Sequence, residues 1–355
     1  MAGFNDIIGN GLIKSQLIKA ADTRTVSHAY IFSGEKGIGK RKMAEAFALE
    51  LMCRNRRPGE SACLSCPDCK KVLSGNHPDI AYVIGTKKDS IGVEDVRSQI
   101  NDEAAVKPFF DGYRIFVVPD ADKLTVQAQN ALLKTLEEPP EYVVIMLLAK
   151  DEKDLLDTVL SRSVKVRLRP LNHEEMLEFL EKYTAGDAAG MSGKLYAAAA
   201  FSEGIPGRAA EYMEDSGFGL ICGLVGDICR DIMRMDAVEI EEKAAELIEK
   251  SASMVETLEL FRLYYKDVML IRGVSRECAD SAGQMPSADI FETGLLVFGS
   301  EKDALTASAR MVTDKGLEAV MEAIDTAEKR LKANVNTQLT VELLLQKMRE
   351  AGDIH

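Results

Sequence analysis

The stretch His28-Ala29-Tyr30-Ile31-Phe32-Ser33-Gly34-Glu35-Lys36-Gly37-Ile38-Gly39-Lys40-Arg41 decides the fold. Its first six residues are a short run with aromatic and β-branched side chains on both faces, as a strand inside a parallel sheet requires. Glycines then recur at Gly34, Gly37 and Gly39, where backbone N–H groups must turn inward. Beyond Lys40, apolar residues fall at helical spacing: Met43, Phe47 and Leu51 form a stripe with Ala44 and Ala48 beside it. Strand, glycine-rich turn and amphipathic helix, in that order, form the setting in which a helix N-terminus and one lysine cradle a phosphate.

The same alternation continues outward. Asp79–Ile84, Tyr113–Val118, Tyr142–Ala149 and Val164–Leu168 are further short apolar runs. Between them, Val93, Val96 and Ile100, and then Ala128, Leu132 and Leu136, mark helical stripes. Strands alternating with helices predict an α/β layered domain over residues 1–168, descended from the P-loop NTPases.

Two parts of a working nucleotide site are missing. The phosphate loop should continue with Ser or Thr, whose hydroxyl binds Mg²⁺. Arg41 stands there, and a guanidinium cannot ligate a cation. The metal-binding acid should follow Val117-Val118, where the chain reads Pro119-Asp120-Ala121-Asp122, with proline in the acid's place. Gly34, Gly37, Gly39 and Lys40 therefore read as a degenerate phosphate loop kept for its geometry. Hydrolysis is not expected of it, and ATP binding is left open.

Four of the seven cysteines cluster as Cys53-x9-Cys63-x2-Cys66-x2-Cys69, after the first helix and before the second strand. Four thiolates at this spacing suit one tetrahedral structural Zn²⁺, which would fold a segment too small for a core of its own. His77 is an alternative ligand, although Asn76-His77-Pro78-Asp79 reads better as the start of a strand. Cys222 and Cys229 lie on an apolar stretch and read as core residues. An odd cysteine count without a secretory signal predicts a reducing, cytoplasmic setting rather than disulfides.

After Pro170 the strand signal stops. Asn172 with Glu175 three residues later predicts a capped helix start. Thr184–Gly193 reads as a loop, Lys194–Phe201 as a helix ending near Gly204–Gly207, and these make a small helical domain over 169–214. From Asp215 to the end, 215–355, the pattern is helical, with a break at Asn334–Asn336 and an unassigned, loop-like stretch from Val274 to Ser300. The net charge of −13 argues against a protein that grips nucleic acid with its whole surface. The basic run Lys36, Lys40, Arg41 and Lys42 reads as a solvated helix start around one phosphate-facing lysine. No window approaches the roughly 18 apolar residues of a membrane span.

Several stretches together resemble the clamp-loader AAA+ family: Phe4-Asn-Asp-Ile-Ile-Gly9, His28–Gly34, the cysteine module in its inserted position, Gln129-Asn-Ala-Leu-Leu-Lys-Thr-Leu-Glu-Glu-Pro-Pro140, and Ser161-Arg162-Ser163. The likeness covers about residues 1–215 and is generic beyond them, apart from Asn334-Val-Asn336 and Leu339–Glu342. It implies an AAA+ domain, a small helical lid and an all-α collar. It also implies a place in a ring that loads the sliding clamp onto primed DNA, beside gamma/tau and delta subunits. In this family the serine-arginine motif offers its arginine to the γ-phosphate of the adjacent subunit, a role that falls to Arg162 with Ser161. Arg41, Pro119, Lys150 in place of a small polar sensor, and the Gly204-Ile-Pro-Gly207-Arg208 turn all depart from the hydrolysing members. These departures favour the delta-prime branch. Two other functions compete: a hydrolysing gamma/tau-type ATPase, against which Arg41 and Pro119 speak, and a zinc-dependent nucleic-acid-binding module, against which the acidic balance speaks.

Overall fold

The computed structural model describes residues 3–109, 112–184, 192–280, 296–299 and 302–351. The chain divides into two compact units: one holds 1–175 with Gly204–Gly207, the other holds Met176–Glu203 with 208–355.

The first unit is built on a parallel sheet. Its strands β1 (Ala29–Ser33), β2 (Ile80–Tyr82), β3 (Arg114–Val118), β4 (Val143–Ala149) and β5 (Val164–Arg167) lie in the order β2-β3-β4-β1-β5. β1 pairs with β4 through Ala29↔Ile145 to Ser33↔Ala149, and with β5 through Tyr30↔Val164 to Ser33↔Arg167. Successive strand residues point to opposite faces, and each face meets its own layer of helices. Tyr30 and Phe32 pack with Met43 and Phe47 of α2 (Lys40–Met52), the helix that follows α1 (Gly11–Asp22) and β1, and with the cysteine segment. Ala29 and Ile31 pack on the other side with Val96 and Ile100 and with Ala128, Leu132 and Leu136. The stripes read from the sequence are thus the two layers that cover the sheet.

Three local expectations are corrected. The strands are not all buried on both faces: β5 is an edge strand in which Val166 alone is buried and Val164 is exposed. Lys153–Leu160, which by sequence reads as one helix ahead of Ser161, is broken. A 3₁₀ turn, Glu152–Asp154, gives way to extended Leu155 and Leu156 before a short helix, Asp157–Leu160. The break drives Leu155 into the same core as Val159. Third, Val274–Asp280 is helical, the last part of Met254–Asp280. Among its described side chains, Ile271 is the last buried one. Leu296–Phe298, at the far end of the same stretch, are buried; residues 281–295 lie outside the described residues, as does most of the Thr184–Gly193 loop.

The described residues of the second unit are helices and turns. The first of its helices, His173–Tyr183, starts at the capping box expected of Asn172: the Asn172 Oδ1 accepts the Glu175 N–H at 2.8 Å, and Glu175 Oε2 accepts the Asn172 N–H at 2.9 Å. Asp215 caps Ser216–Asp231, which buries Cys222 and Cys229. Asn334 takes a left-handed turn and Asn336 caps Thr337–Glu350, which places the break where the sequence puts it. No helix is long and apolar enough to cross a membrane among the described residues.

Candidate functional site

The phosphate loop leaves β1 at Ser33 and enters α2 at Lys40. Gly34, Gly37 and Gly39 have φ of 148°, 86° and 105°, in the region that side chains avoid. Gly37 is also approached from outside: its carbonyl accepts the Gly207 N–H at 2.9 Å, at the start of helix Pro206–Glu214. The Lys40 ammonium turns onto its own loop, donating to the Gly34 carbonyl at 2.5 Å and the Glu35 carbonyl at 3.1 Å. Burial lowers its pKa, and Asp122, Glu35 and Asp120 oppose that shift. Lys150, at the end of β4, lies 3.8 Å from Glu35, and its carbonyl accepts the Gly34 N–H.

Arg41 is engaged elsewhere. Its Nε donates to Glu45 Oε1 at 2.8 Å, one helical turn on, and its guanidinium lies 5.2 Å from the Tyr82 ring centroid. Tyr82 donates its hydroxyl to the same carboxylate oxygen at 3.1 Å. After Pro119, Asp120 pairs with Lys123 at 3.1 Å. Neither Arg41 nor Pro119 has a side-chain oxygen to offer a cation beside the loop.

The four cysteines converge. One sulfur from each of Cys53, Cys63, Cys66 and Cys69 lies within 4.8 Å of all the others. A tetrahedral ion with metal–sulfur bonds of about 2.3 Å needs sulfurs about 3.8 Å apart, so the set fits. Backbone N–H groups of Cys63, Cys66 and Cys69 point at the sulfurs of Cys53, Cys63 and Cys66 at 3.3, 3.4 and 3.4 Å. This is the orienting shell that a thiolate site uses. Hydrogen bonds from Ser65 and then from the Cys66 N–H lower the Cys63 thiol to about 6, whereas burial raises Cys69. His77 stands outside the cluster, its Nδ1 accepting the Asp79 N–H at 3.2 Å. Arg56 braces the module with ion pairs to Asp22 and Glu50.

Ser161 ends the short helix Asp157–Leu160 and Arg162 follows it. Arg162 Nη1 donates to the Thr158 carbonyl at 3.1 Å and to Ser161 Oγ at 3.3 Å, and Nη2 lies 3.0 Å from Glu137 Oε1. Two residues in this arrangement escape a sequence reading. Glu137 looks like one more surface acid. Gln129 is buried and fully bonded: Nε2 donates to the carbonyls of Leu124 and Asp154, and Oε1 accepts the Leu156 N–H at 2.7 Å. It thereby fixes the start of the short helix that precedes Arg162. Only a buried amide inside a helical stripe hinted at such a role.

The model of a family described as DNA polymerase III, delta subunit, matches residues 9–172. The DNA polymerase III subunit delta' of Bacillus subtilis is 26% identical over 340 residues, covering 94% of each chain. The tau/gamma subunit of Haemophilus influenzae is 34% identical over 179 residues, 50% of this chain and 25% of that protein. The tau subunit of Bacillus subtilis is 30% identical over 179 residues, 50% of this chain and 31% of that protein. The chain thus spans only a quarter to a third of these longer relatives. Among solved structures, the Bacillus subtilis DNA clamp loader delta protein is 13% identical with a TM-score of 0.35, covering 95% of this chain and 99% of that one. By sequence, the chain is similar nearly end to end to a delta' subunit of DNA polymerase III and over its first half to tau and gamma subunits.

Proposed function

We propose that the chain is the delta-prime-type member of a cytoplasmic clamp loader, an AAA+ subunit that hydrolyses no ATP itself and completes a neighbour's site. In this reading residues 1–168 form the AAA+ domain, 169–214 a lid and 215–355 a collar that joins gamma/tau and delta subunits, with clamp and primed DNA met through the assembly. Cys53, Cys63, Cys66 and Cys69 hold a structural Zn²⁺. The observation that carries the reading is Arg41: the residue standing where a metal-binding hydroxyl belongs is tied to Glu45 and Tyr82. Phosphoryl transfer depends on a metal to neutralise the charge that develops on the phosphoryl oxygens. Arg162, held beside Ser161, then supplies a planar, permanently charged fork in trans.

Reconstitution with a hydrolysing subunit tests this. Arg162→Ala should leave folding and assembly intact while lowering ATPase and clamp loading, with arginine fingers worth roughly 10³-fold or more elsewhere. Arg162→Lys should rescue poorly. Clamp loading at the wild-type rate in Arg162→Ala would reduce the subunit to a scaffold. One observation favours a second reading, a gamma/tau-type ATPase: the chain is 34% identical to a tau/gamma subunit over 179 residues, against 26% to a delta' subunit over 340 residues. Turnover by the isolated chain separates the two.

A further inference from the structure

We propose that Glu137 is the positioning residue for Arg162, setting the direction in which its guanidinium is offered. The proposal rests on the reading of Arg162 as a group that acts in trans. Glu137 is the last residue of helix Val126–Glu137 and Glu138 follows as its C-cap. Acids at a helix C-terminus face the negative end of its dipole and are unfavourable there. A carboxylate in that place is compensated by a cation, and the cation that meets it is Arg162, 3.0 Å away and from a different element.

Both partners have fixed backbones. The helix is capped by Thr125, whose hydroxyl accepts the Ala128 N–H, and it buries Leu132 and Leu136 against the sheet. On the other side, Gln129 anchors the segment leading to Arg162. The guanidinium is therefore held at three points: Nη1 by the Thr158 carbonyl and Ser161 Oγ, Nη2 by Glu137. Its Nε–H makes no hydrogen bond among the described residues. A guanidinium meets phosphate oxygens through N–H donors lying in its own plane, so the orientation of that plane decides what it can pair with. Without Glu137 only Nη1 remains held, and the fork can rotate about its own stem. A surface ion pair kept for stability alone contributes roughly 0–1 kcal/mol. A positioning contact is distinguished by acting only through Arg162.

The test is a double-mutant cycle in the assembly reconstituted with its ATPase subunit, comparing wild type, Glu137→Gln, Arg162→Ala and the double variant. Thermal melts of each chain verify that it folds. Misplacement of a charged group by about an ångström costs up to roughly 100-fold, so Glu137→Gln should lower kcat about 10-fold. The KM for ATP should be unchanged, and the double variant should be no slower than Arg162→Ala. If Arg162→Ala is slow while Glu137→Gln turns over at the wild-type rate, Glu137 does not position the finger. Additive losses in the double variant overturn the proposal as well, because Glu137 would then act elsewhere. If Arg162→Ala itself is unimpaired, the trans reading fails and Glu137 has nothing to position.

Discussion

The Gly207 N–H donates to the Gly37 carbonyl at 2.9 Å, so the start of helix Pro206–Glu214 rests on the backbone of the phosphate loop. A Cβ added at Gly207 would lie 2.7 Å from Gly37 Cα and 3.0 Å from its carbonyl oxygen. Backbone cannot yield as a flexible side chain does. Gly207→Ala should therefore destabilise by about 1–3 kcal/mol, as overpacking does. That corresponds to a few degrees in the melting temperature. An unchanged melt would mean that the helix start does not press on the loop.

Elemental analysis of protein purified without chelator should find about one zinc per chain. Less than half an equivalent would count heavily against the metal. Structural zinc contributes several kcal/mol to folding where the segment has no core of its own. Cys66→Ser, or prolonged chelation, should thus lower the melting temperature by about 10 °C, with no change in any intrinsic reaction.

The isolated chain should not hydrolyse ATP above background. Restoring a hydroxyl with Arg41→Thr should not create turnover, because Pro119 still withholds the second ligand. Mg²⁺-dependent hydrolysis that disappears in Lys40→Ala would move the protein to the motor class.

Much of this was legible in the sequence, and the gaps have physical causes. β1, β3 and β4 are central strands, so apolar residues on both faces announced them. β2 and β5 sit at the edges, where burial is partial and a short run of letters says little. The four cysteines could be read because their spacing is local. Arg41–Tyr82 and Glu137–Arg162 could not, since each pair joins elements that only the folded sheet brings together. Leu155 and Leu156 read as helix by composition. Gln129, across the fold, takes the Leu156 N–H and so supports an extended segment instead.

Stability should also depend on Asp267, which is 1% exposed and accepts the Phe298 N–H at 2.7 Å. Burial pushes its carboxyl up to about 7, against the lowering effect of the backbone donors of Phe298 and Val297. The folded state then holds this proton more tightly than the unfolded chain. The associated stability is fully present below about pH 4, the unfolded value, and is lost as pH rises through about 7. Denaturant titrations across that window should show a slope that Asp267→Asn flattens. An identical slope in the variant would exclude Asp267 as its source.

The strand order sets a timetable for the growing chain. β1 is made early, yet its partners on both sides, Ile145–Ala149 and Val164–Arg167, are made late. At about 5–20 residues per second, every residue from Gly34 through Ala149 must emerge before Tyr30, Ile31 and Phe32 find their first neighbour, a wait of several seconds. An unpaired apolar run of this kind invites association with other chains. One face has earlier cover: Met43 and Phe47 of α2, together with Cys66 and Cys69, pack beside Tyr30 and Phe32, and all of them are complete long before β4 exists. The cysteine insert thus lies where it can shield half of the first strand while the other half waits for the sheet.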